Sequence, residues 1–242
     1  MENKTDWFVN WFDTPYYHLL YNNRDGNEAE FFMKNLVSFL KLKKDDKVLD
    51  LPCGKGRHAL FLNAQGFDVV GADLSINSIN IAKKFENNTL KFTTHDMREP
   101  LQGKYRAIFN LFTSFGYFDD DESNVTVLKN FKEALLDKGI VIIDFLNITK
   151  VIKELVTSQK IVKNDITFHI QKYIENDFLI KEISFDADGK SNHFSEKLQC
   201  LNLNKMEELV KKSGLKIMHT FGNYNLDLFD ENVSDRLILV LK

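Results

Sequence analysis

A short glycine loop behind a predicted strand has the residue types and spacing best suited to chemistry. The loop lies in the run Val48-Leu49-Asp50-Leu51-Pro52-Cys53-Gly54-Lys55-Gly56-Arg57-His58-Ala59. Because Gly54 and Gly56 stand where a strand ends and a helix begins, the backbone there can come close to a ligand. The spacing also satisfies the dinucleotide fingerprint, and a sharp turn without a ligand is an equal alternative. The loop predicts a cofactor site without choosing the cofactor.

Three aspartates stand at the ends of three consecutive predicted strands. Asp50 lies in the first strand, Asp73 closes the second, and Asp96 follows the third. A carboxylate at Asp73 can accept two hydrogen bonds from a ribose diol, and Asp96 beside a backbone N–H can read an adenine edge. A helix cap and a turn are the simpler explanations for Asp73 and Asp96 taken singly. Since the carboxyl ends of parallel strands meet at one crevice, the three aspartates together indicate a ligand site.

The chain resembles the class I S-adenosylmethionine-dependent methyltransferases over nearly all of residues 46–242. The first motif of that family is similar to Asp50-x-x-x-Gly54-x-Gly56. Its ribose-binding acid corresponds to Asp73, and its adenine contact to Asp96-Met97. The run Asn110-Leu111-Phe112 is similar to the segment that lines the methionine moiety and the acceptor site.

The resemblance implies S-adenosylmethionine as the cofactor, a small-molecule methyl acceptor and no metal. It implies cofactor-binding roles for Tyr17, Tyr21, Asp50, Pro52, Cys53, Gly54, Gly56, Arg57, Asp73, Leu74, Asp96, Met97, Asn110, Leu111 and Phe112. Residues 52–59 and 112–118 narrow the resemblance to a bacterial subgroup of small-molecule type. Independently, a loop that begins with the carboxylate of Asp50 suits a cationic sulfonium and an ammonium better than the phosphates of a dinucleotide.

An aromatic segment, residues 7–21, precedes the predicted domain. One interpretation is a helix that packs its apolar face on the sheet, and the other is a lid that closes over the cofactor. Tyr17 and Tyr21 are four residues apart and therefore share a helix face. His18 and His95 are the candidates for a general base, since each neighbours a predicted cofactor segment and can titrate near neutrality. A structural role is the simpler alternative for each histidine.

Alternating apolar runs and helical patterns from Lys47 onward predict a doubly wound, Rossmann-like α/β fold. We expect a seven-stranded sheet with an antiparallel last strand, and an inserted antiparallel β-sheet after the fifth strand. The predicted domains are an N-terminal helical lid segment (1–45), a Rossmann-like methyltransferase domain (46–148 with 201–242) and an inserted β subdomain (149–200).

Local signals predict the boundaries of several elements. Ser123 marks the start of a helix that ends at Gly139, and Asn204 the start of a helix that ends at Gly214. Alternation of apolar and polar residues predicts three antiparallel strands in the insertion, over 160–171, 178–186 and 192–200. A turn at 188–190 separates the last two.

Composition and charge disfavour several classes of protein. The 32 Lys and Arg residues against 35 Asp and Glu give a formal charge of −3, which disfavours nonspecific binding to nucleic acid. No apolar run is long enough for a membrane span, and the first residues do not resemble a signal peptide. The two cysteines make neither a disulfide framework nor a zinc site by themselves. We therefore expect a cytoplasmic enzyme without a membrane partner.

Several alternatives stay open at this level. An NAD(P)-dependent oxidoreductase is the second enzyme hypothesis, and a non-catalytic binding or assembly module on the same fold is the third. A homodimer formed through the inserted strands is one expected assembly. The segment after the fourth strand lacks the Asn/Asp-Pro-Pro-Tyr pattern of base methylation, which favours an O or N nucleophile on a small molecule. Arg24 and Arg57 could hold a carboxylate of the cofactor or the acceptor.

Overall fold

The computed structural model describes residues 7–21 and 26–242, with the side chains of all but residues 9, 26 and 27. The strands in chain order are β1 (Lys47–Asp50), β2 (Asp68–Asp73), β3 (Leu90–Thr94), β4 (Tyr105–Asn110), β5 (Leu135–Leu146), β6 (Ser158–Lys163), β7 (Ile166–Glu175), β8 (Phe178–Ala187), β9 (Lys190–Gln199), β10 (Ile217–Phe221) and β11 (Arg236–Leu241). The helices are α1 (Trp7–Phe12), α2 (Pro15–Leu20), α3 (Gly26–Leu40), α4 (Arg57–Ala64), α5 (Ile76–Ala82), α6 (Asp121–Glu133), α7 (Ile148–Lys153) and α8 (Leu203–Ser213). A 3-10 turn, Lys83–Phe85, follows α5.

Seven strands form one sheet in the order β10-β11-β5-β4-β1-β2-β3. The five strands from β3 to β5 in that order are parallel, whereas β11 pairs antiparallel with both β5 and β10. The chain reverses its direction of winding between β1 and β4, and in such sheets the crevice at this point is where ligands bind. The predicted fold class is confirmed, including the antiparallel last strand.

Apolar side chains cover both faces of this sheet. One cluster joins the sheet to α6 and α8, and the other joins it to α3, α4 and α5. In β5, the side chains of Val141, Ile142, Ile143 and Phe145 are all fully buried, as expected for a central strand with helices on both faces. The two layers fix the carboxyl ends of β1, β2 and β4 relative to one another.

The inserted sheet has four antiparallel strands in the order β6-β7-β8-β9. The run 160–171, predicted as one strand, is two strands, because Asn164 and Asp165 take left-handed φ values of 44° and 66° and form a tight turn. Asparagine and aspartate tolerate this backbone, which two-residue hairpins of the primed type require. The predicted turn at Asp188-Gly189-Lys190 is confirmed, although Lys190 already belongs to β9.

The predicted start and end of α6 are wrong. Its cap is Asp120, whose carboxylate accepts from the backbone N–H of Ser123 at 2.7 Å, so Ser123 lies inside the first turn. Gly139 does not end the helix but lies in the irregular first part of β5. A Cβ added to Gly139 would stand 2.9 Å from that of Leu135, so a side chain does not fit this close approach.

The predicted start of α8 is also wrong, by two residues. The side chain of Asn202, rather than Asn204, accepts from the backbone N–H of Lys205 at 2.9 Å, and the helix begins at Leu203. Its predicted end at Gly214 is confirmed by a left-handed φ of 78°. The short helix α7 was not predicted, because six residues carry little periodic pattern. Within the described ranges, no helix is long and apolar enough to cross a lipid bilayer.

Candidate functional site

The glycine loop forms a tight bend between β1 and α4. The backbone N–H of Cys53 donates to the carbonyl of Ala72 in β2 at 2.8 Å, which anchors the loop to the sheet. Gly54 and Gly56 have φ values of 54° and 85°, and Gly56 caps α4. A Cβ added to Gly56 would lie 2.6 Å from the ring of Phe92, whereas one added to Gly54 would meet nothing within 4 Å. Gly56 is therefore required for packing, and the backbone of Gly54 borders open space.

Asp73, at the end of β2, is tied directly to this loop. Its Oδ2 accepts from the backbone N–H of Gly54 at 2.7 Å, and its Oδ1 accepts from that of Ser75 at 2.8 Å. Burial raises the pKa of Asp73, and these backbone donors oppose the rise. Each carboxylate oxygen keeps a second acceptor site, so the group can still bind hydroxyl donors. The sequence predicted either a helix cap or a ribose-binding carboxylate for Asp73. The hydrogen bond from Gly54 shows that Asp73 contacts the glycine loop.

Asp50 and Asn110 end the adjacent strands β1 and β4, on either side of the switch point. Both side chains are buried, at 1% and 0% exposure. Asp50 Oδ2 and Asn110 Oδ1 have no hydrogen-bond partner among the described residues, whereas Asn110 Nδ2 donates to the carbonyl of Leu51 at 2.9 Å. Buried acceptors without donors are rare in folded proteins, so two at one crevice mark a place where a ligand can donate.

The ionisation of Asp50 depends on what lies beside it. Burial, with the neighbouring charge of Asp73, raises the pKa of Asp50 to about 8, against the opposing effects of the Ala59 backbone and Arg57. A cationic or hydrogen-bond-donating ligand would lower that pKa again and stabilise the carboxylate. The buried acceptor oxygens of Asp50 and Asn110 therefore fit a positively charged group, and they do not fit a phosphate.

Asp96 is bound by a residue of its own turn. Its carboxylate receives the guanidinium of Arg98, with Nη2 at 2.6 Å from Oδ2, and the Arg98 backbone N–H at 2.9 Å from Oδ1. Although burial opposes ionisation, the hydrogen bonds from Arg98 hold the pKa of Asp96 below its usual value. Arg98 in turn lies over the ring of Phe118, 5.0 Å from its centroid. The side chain of Met97 packs against the core, and the predicted adenine contact at Asp96 and Met97 stays a prediction.

The segment after β4 has an unusual backbone. Leu111 is buried in the core, and the next two residues, Phe112 and Thr113, have left-handed φ values of 59° and 60°. The Phe112 N–H donates to Asp144 Oδ2 at 2.8 Å, and Arg236 holds both Asp144 Oδ1, at 2.8 Å, and Thr113 Oγ1, at 3.0 Å. A buried ion pair thus fixes a strained backbone at the edge of the crevice.

Asp144 and Arg236 were not predicted to have a role here. Asp144 is fully buried near the carboxyl end of β5, between the apolar residues Ile143 and Phe145. One acidic residue inside such an apolar strand is the sequence feature that indicates a buried positively charged partner. Its partner could not be named, because the two residues are 92 positions apart and pair only through the antiparallel contact of β5 with β11.

Aromatic and cationic side chains surround Phe112. The imidazole of His58 stacks on its ring with centroids 4.8 Å apart, and the guanidinium of Arg57 lies 5.8 Å from the ring centroid. The Tyr224 ring meets Phe112 edge-on at 5.8 Å. Because aromatic faces attract cations, this group can bind a positively charged ligand or pack an apolar one.

The segment formed by α1 and α2 lies against the start of α5. Asp13, between the two helices, accepts from the hydroxyl of Ser75 and from Asn77 Nδ2, the latter at 2.6 Å. Burial and then the charge of Lys55 in the glycine loop lower the pKa of His18. Asp13 was not predicted, and its contact places the N-terminal segment beside Asp73 and the loop.

The predicted pair of tyrosines does share a face, with ring centroids 4.9 Å apart. The hydroxyl of Tyr21 donates to Glu196 Oε1 at 2.6 Å, and Trp11 Nε1 donates to the same oxygen at 2.7 Å. Burial and the Glu196 carboxylate raise the pKa of Tyr21 well above its usual value. Lys181 contacts both Tyr21 and Glu196. These contacts dock the N-terminal helices on the inserted sheet, through residues of β8 and β9 that sequence reasoning missed.

The remaining predicted residues are dispersed around this core of the site. Leu74 packs partly against the apolar core, and Pro52 is half-buried in the loop. Burial raises the pKa of the Cys53 thiol, which argues against a nucleophile. His95 Nε2 lies 3.3 Å from the carbonyl of Glu99 in its own turn.

Arg24 lies outside the described residues. In the part of the chain that the structure covers, no group of three or more His, Cys, Asp or Glu side chains could hold a metal ion.

The sequence is similar to that of known methyltransferases. A family model described as a methyltransferase domain matches residues 42–181. A glycine/sarcosine N-methyltransferase from Aphanothece halophytica is 31% identical over 159 residues, which cover 62% of this chain and 54% of that protein. The enzyme of the same description from Halorhodospira halochloris is 30% identical over 132 residues, covering 51% and 47%. The chain thus spans about half the length of these two relatives.

A solved structure matches over nearly the whole chain. It is an S-adenosylmethionine-dependent methyltransferase from Clostridium acetobutylicum, with a TM-score of 0.79 at 20% identity, over 94% of this chain and 95% of that one. A likeness at this identity shows the fold. Because the family model covers more than half of the sequence, the chain belongs to the methyltransferase domain family, on the class I S-adenosylmethionine-dependent fold.

Proposed function

We propose that this chain is an S-adenosylmethionine-dependent enzyme that transfers a methyl group to an O or N nucleophile of a small molecule. The observation that carries the proposal is the pair of buried acceptors without donors, Asp50 Oδ2 and Asn110 Oδ1, at the switch point of the sheet. They lie beside a glycine loop whose N–H holds Asp73. Acidic and carbonyl oxygens at this position favour a cationic cofactor over a dinucleotide, which disfavours the oxidoreductase alternative.

The chain's own residues divide the work of binding. Asp73, oriented by Gly54 and Ser75, accepts hydrogen bonds from a ribose, while Asp50 and Asn110 accept from a charged amine. The remaining predicted contacts, from Arg57 and the run 110–112 to Tyr17 and Tyr21, stay predictions. When bound, the cofactor supplies a methyl group on a cationic sulfur.

Methyl transfer then requires mainly that the nucleophile is aligned with the methyl group and that water is excluded, and neither requires a strong base. The Asp144 and Arg236 pair fixes the segment after β4, and Asp13 holds the N-terminal helices at the start of α5. His18 is the better placed of the two candidate bases, because its lowered pKa keeps the imidazole neutral near pH 7 and able to accept a proton. His95 is occupied within its own turn.

The descriptions of the relatives support a small nitrogen nucleophile. Both curated relatives above are described as acting on glycine and sarcosine, at nitrogen. We also propose the domain division at 1–45, 46–148 with 201–242, and 149–200, since β6 to β9 form a sheet of their own within the last range. The cytoplasmic localisation and the homodimer through the inserted sheet stay predictions.

A thermal-shift titration tests the proposal. S-adenosylhomocysteine at 100-fold excess over its dissociation constant should add about 2.7 kcal/mol of stability, or about 5–11 °C for a chain of this size. NAD should give no shift. Asp73→Asn should weaken the effect of S-adenosylhomocysteine, and Asp137→Asn, at an exposed position of β5, should leave it unchanged. A shift with NAD alone, or equal shifts for Asp73→Asn and the wild type, would overturn the proposal.

A further inference from the structure

The turn between α1 and α2 joins the N-terminal helices to a residue that holds Asp73. In this turn, Asp13 is half-buried and accepts from the hydroxyl of Ser75 and from Asn77 Nδ2. The backbone N–H of the same Ser75 donates to Asp73 Oδ1 at 2.8 Å. Ser75 therefore links two carboxylates, one in the N-terminal segment and one at the proposed ribose contact.

The two carboxylates also interact through their charges. Burial is the main cause of the raised pKa of Asp73, and the charge of Asp13 adds to the rise. Without a ligand, the docked position of Asp13 thus disfavours the ionised form of Asp73. Hydroxyl groups that donate to Asp73 would stabilise its carboxylate and offset this repulsion. Docking of the N-terminal helices and binding of a diol at Asp73 should therefore favour each other, by the same factor in both directions.

A second contact of the N-terminal helices lies at the predicted adenine end of the site. The Arg98 guanidinium, which binds the carboxylate of Asp96, lies 5.8 Å from the ring centroid of Phe8 in α1. A cation at this distance from an aromatic face is attracted to it. Helix α1 thus contacts a direct partner of Asp96, just as the turn after it contacts a direct partner of Asp73. Both acids are those assigned to the nucleoside half of the cofactor.

We propose that Asp13 is a positioning residue that couples docking of the N-terminal helices to binding of the nucleoside half of the cofactor. This inference rests on the proposed function and adds a residue to the same site. A bound nucleoside orders α1 and α2 at the start of α5. The methionine half, assigned to Asp50 and Asn110, does not take part in the coupling.

Hydrogen exchange of the backbone amides in α1 and α2, followed by mass spectrometry, measures docking. Exchange is compared without ligand, with saturating S-adenosylhomocysteine, and with adenosine or methionine at the highest soluble concentration. The variants Asp13→Ala and Asn77→Ala remove the contact from its two sides, and Asn77 is exposed, so its replacement leaves the Ser75 cap in place. Titration calorimetry gives the dissociation constant of S-adenosylhomocysteine for each protein.

The matched control is Asp188→Ala. Asp188 also holds the N-terminal helices, since it accepts from the hydroxyl of Tyr16 in α2 at 2.6 Å, but it lies in the turn between β8 and β9. Its loss should speed exchange in α2 of the ligand-free protein. A residue that merely docks the helices should therefore behave like Asp188, without any change in the response to the ligand.

We expect S-adenosylhomocysteine and adenosine to slow exchange in α1 and α2 of the wild type by at least about fivefold, and methionine to leave it unchanged. In Asp13→Ala the slowing should be lost, and the dissociation constant of S-adenosylhomocysteine should rise by the same factor. Asn77→Ala should show a smaller change in the same direction, because the bond from Ser75 remains. Asp188→Ala should keep both the slowing and the affinity.

Equal slowing in Asp13→Ala and the wild type would overturn the inference. Slowing by methionine, or none by adenosine, would overturn it as well. If S-adenosylhomocysteine binds but leaves exchange in α1 and α2 unchanged, the proposed function stands and the coupling is refuted. If S-adenosylhomocysteine does not bind at all, the proposed function itself fails.

Discussion

Replacing the buried acid of β5 tests whether an ion pair holds the segment after β4. In Asp144→Asn the shape is kept, but the Arg236 guanidinium loses its countercharge and the Phe112 N–H loses a charged acceptor. Removing one partner of a buried pair costs about 3–5 kcal/mol. For a chain of this length, that loss corresponds to a fall in melting temperature of about 6–20 °C.

The matched control is Asp235→Asn. Asp235 pairs with Lys150 at 2.7 Å, but its side chain is 76% exposed, so the loss should be about 0–1 kcal/mol. Urea unfolding followed by circular dichroism gives both values. If Asp144→Asn loses no more stability than Asp235→Asn, the pair of Asp144 and Arg236 does not stabilise the fold.

The same substitution should affect binding beyond its effect on stability. Phe112 and Thr113 hold left-handed backbones that cost about 1–3 kcal/mol each. Without Asp144, the segment can relax away from the crevice. We expect a weaker calorimetric affinity for S-adenosylhomocysteine in the folded variant, measured well below its melting temperature. An unchanged affinity would show that this segment does not line the cofactor site.

Three further predictions concern the loop, the buried acid and the docked helices. Gly56→Ala should lower the free energy of unfolding by more than about 2 kcal/mol and weaken binding of S-adenosylhomocysteine, because the new methyl group meets a phenylalanine ring at 2.6 Å and φ is 85°. A calorimetric stability equal to that of the wild type would contradict this prediction. Burial and the charge of Asp73 raise the pKa of Asp50 from its ordinary value of 3.8 to about 8, so between these pH values the ligand-free fold holds a proton that the unfolded chain has lost. Its contribution to stability therefore falls as the pH rises from about 4 through about 8, and Asp50→Asn should flatten that part of the urea-stability profile. Glu196→Gln should weaken the hydrogen bonds from Trp11 and Tyr21 and speed hydrogen exchange in α1, and an unchanged exchange rate would speak against docking through this acid.

Local patterns predicted the parts of the fold that depend on local chemistry. The end of α8 at Gly214 and the turn at 188–190 lie where they were predicted, because each signal lies within a few residues of its effect. Boundaries were wrong where two residues competed for one role. Asp120 and Ser123 can both cap a helix, and only the hydrogen bond from Ser123 to Asp120 decides between them.

The candidate site divides in the same way. Asp73 and the glycine loop could be predicted, since they follow consecutive strands and meet at one sheet edge. Contacts between distant segments could not, and these include the one from Asp13 to Ser75 and the one from Tyr21 to Glu196, which are 62 and 175 positions apart. Such pairs depend on how the N-terminal helices dock, and no local pattern encodes that.

A crystal structure of the complex with S-adenosylhomocysteine would show directly whether the carboxylates at the ends of β1 and β2 bind the cofactor. We predict the ribose hydroxyls within hydrogen-bond distance of Asp73 and the ligand's amino group in the crevice beside Asp50 and Asn110. A ligand bound elsewhere, with its ribose out of reach of Asp73, would show that these carboxylates do not form the cofactor site.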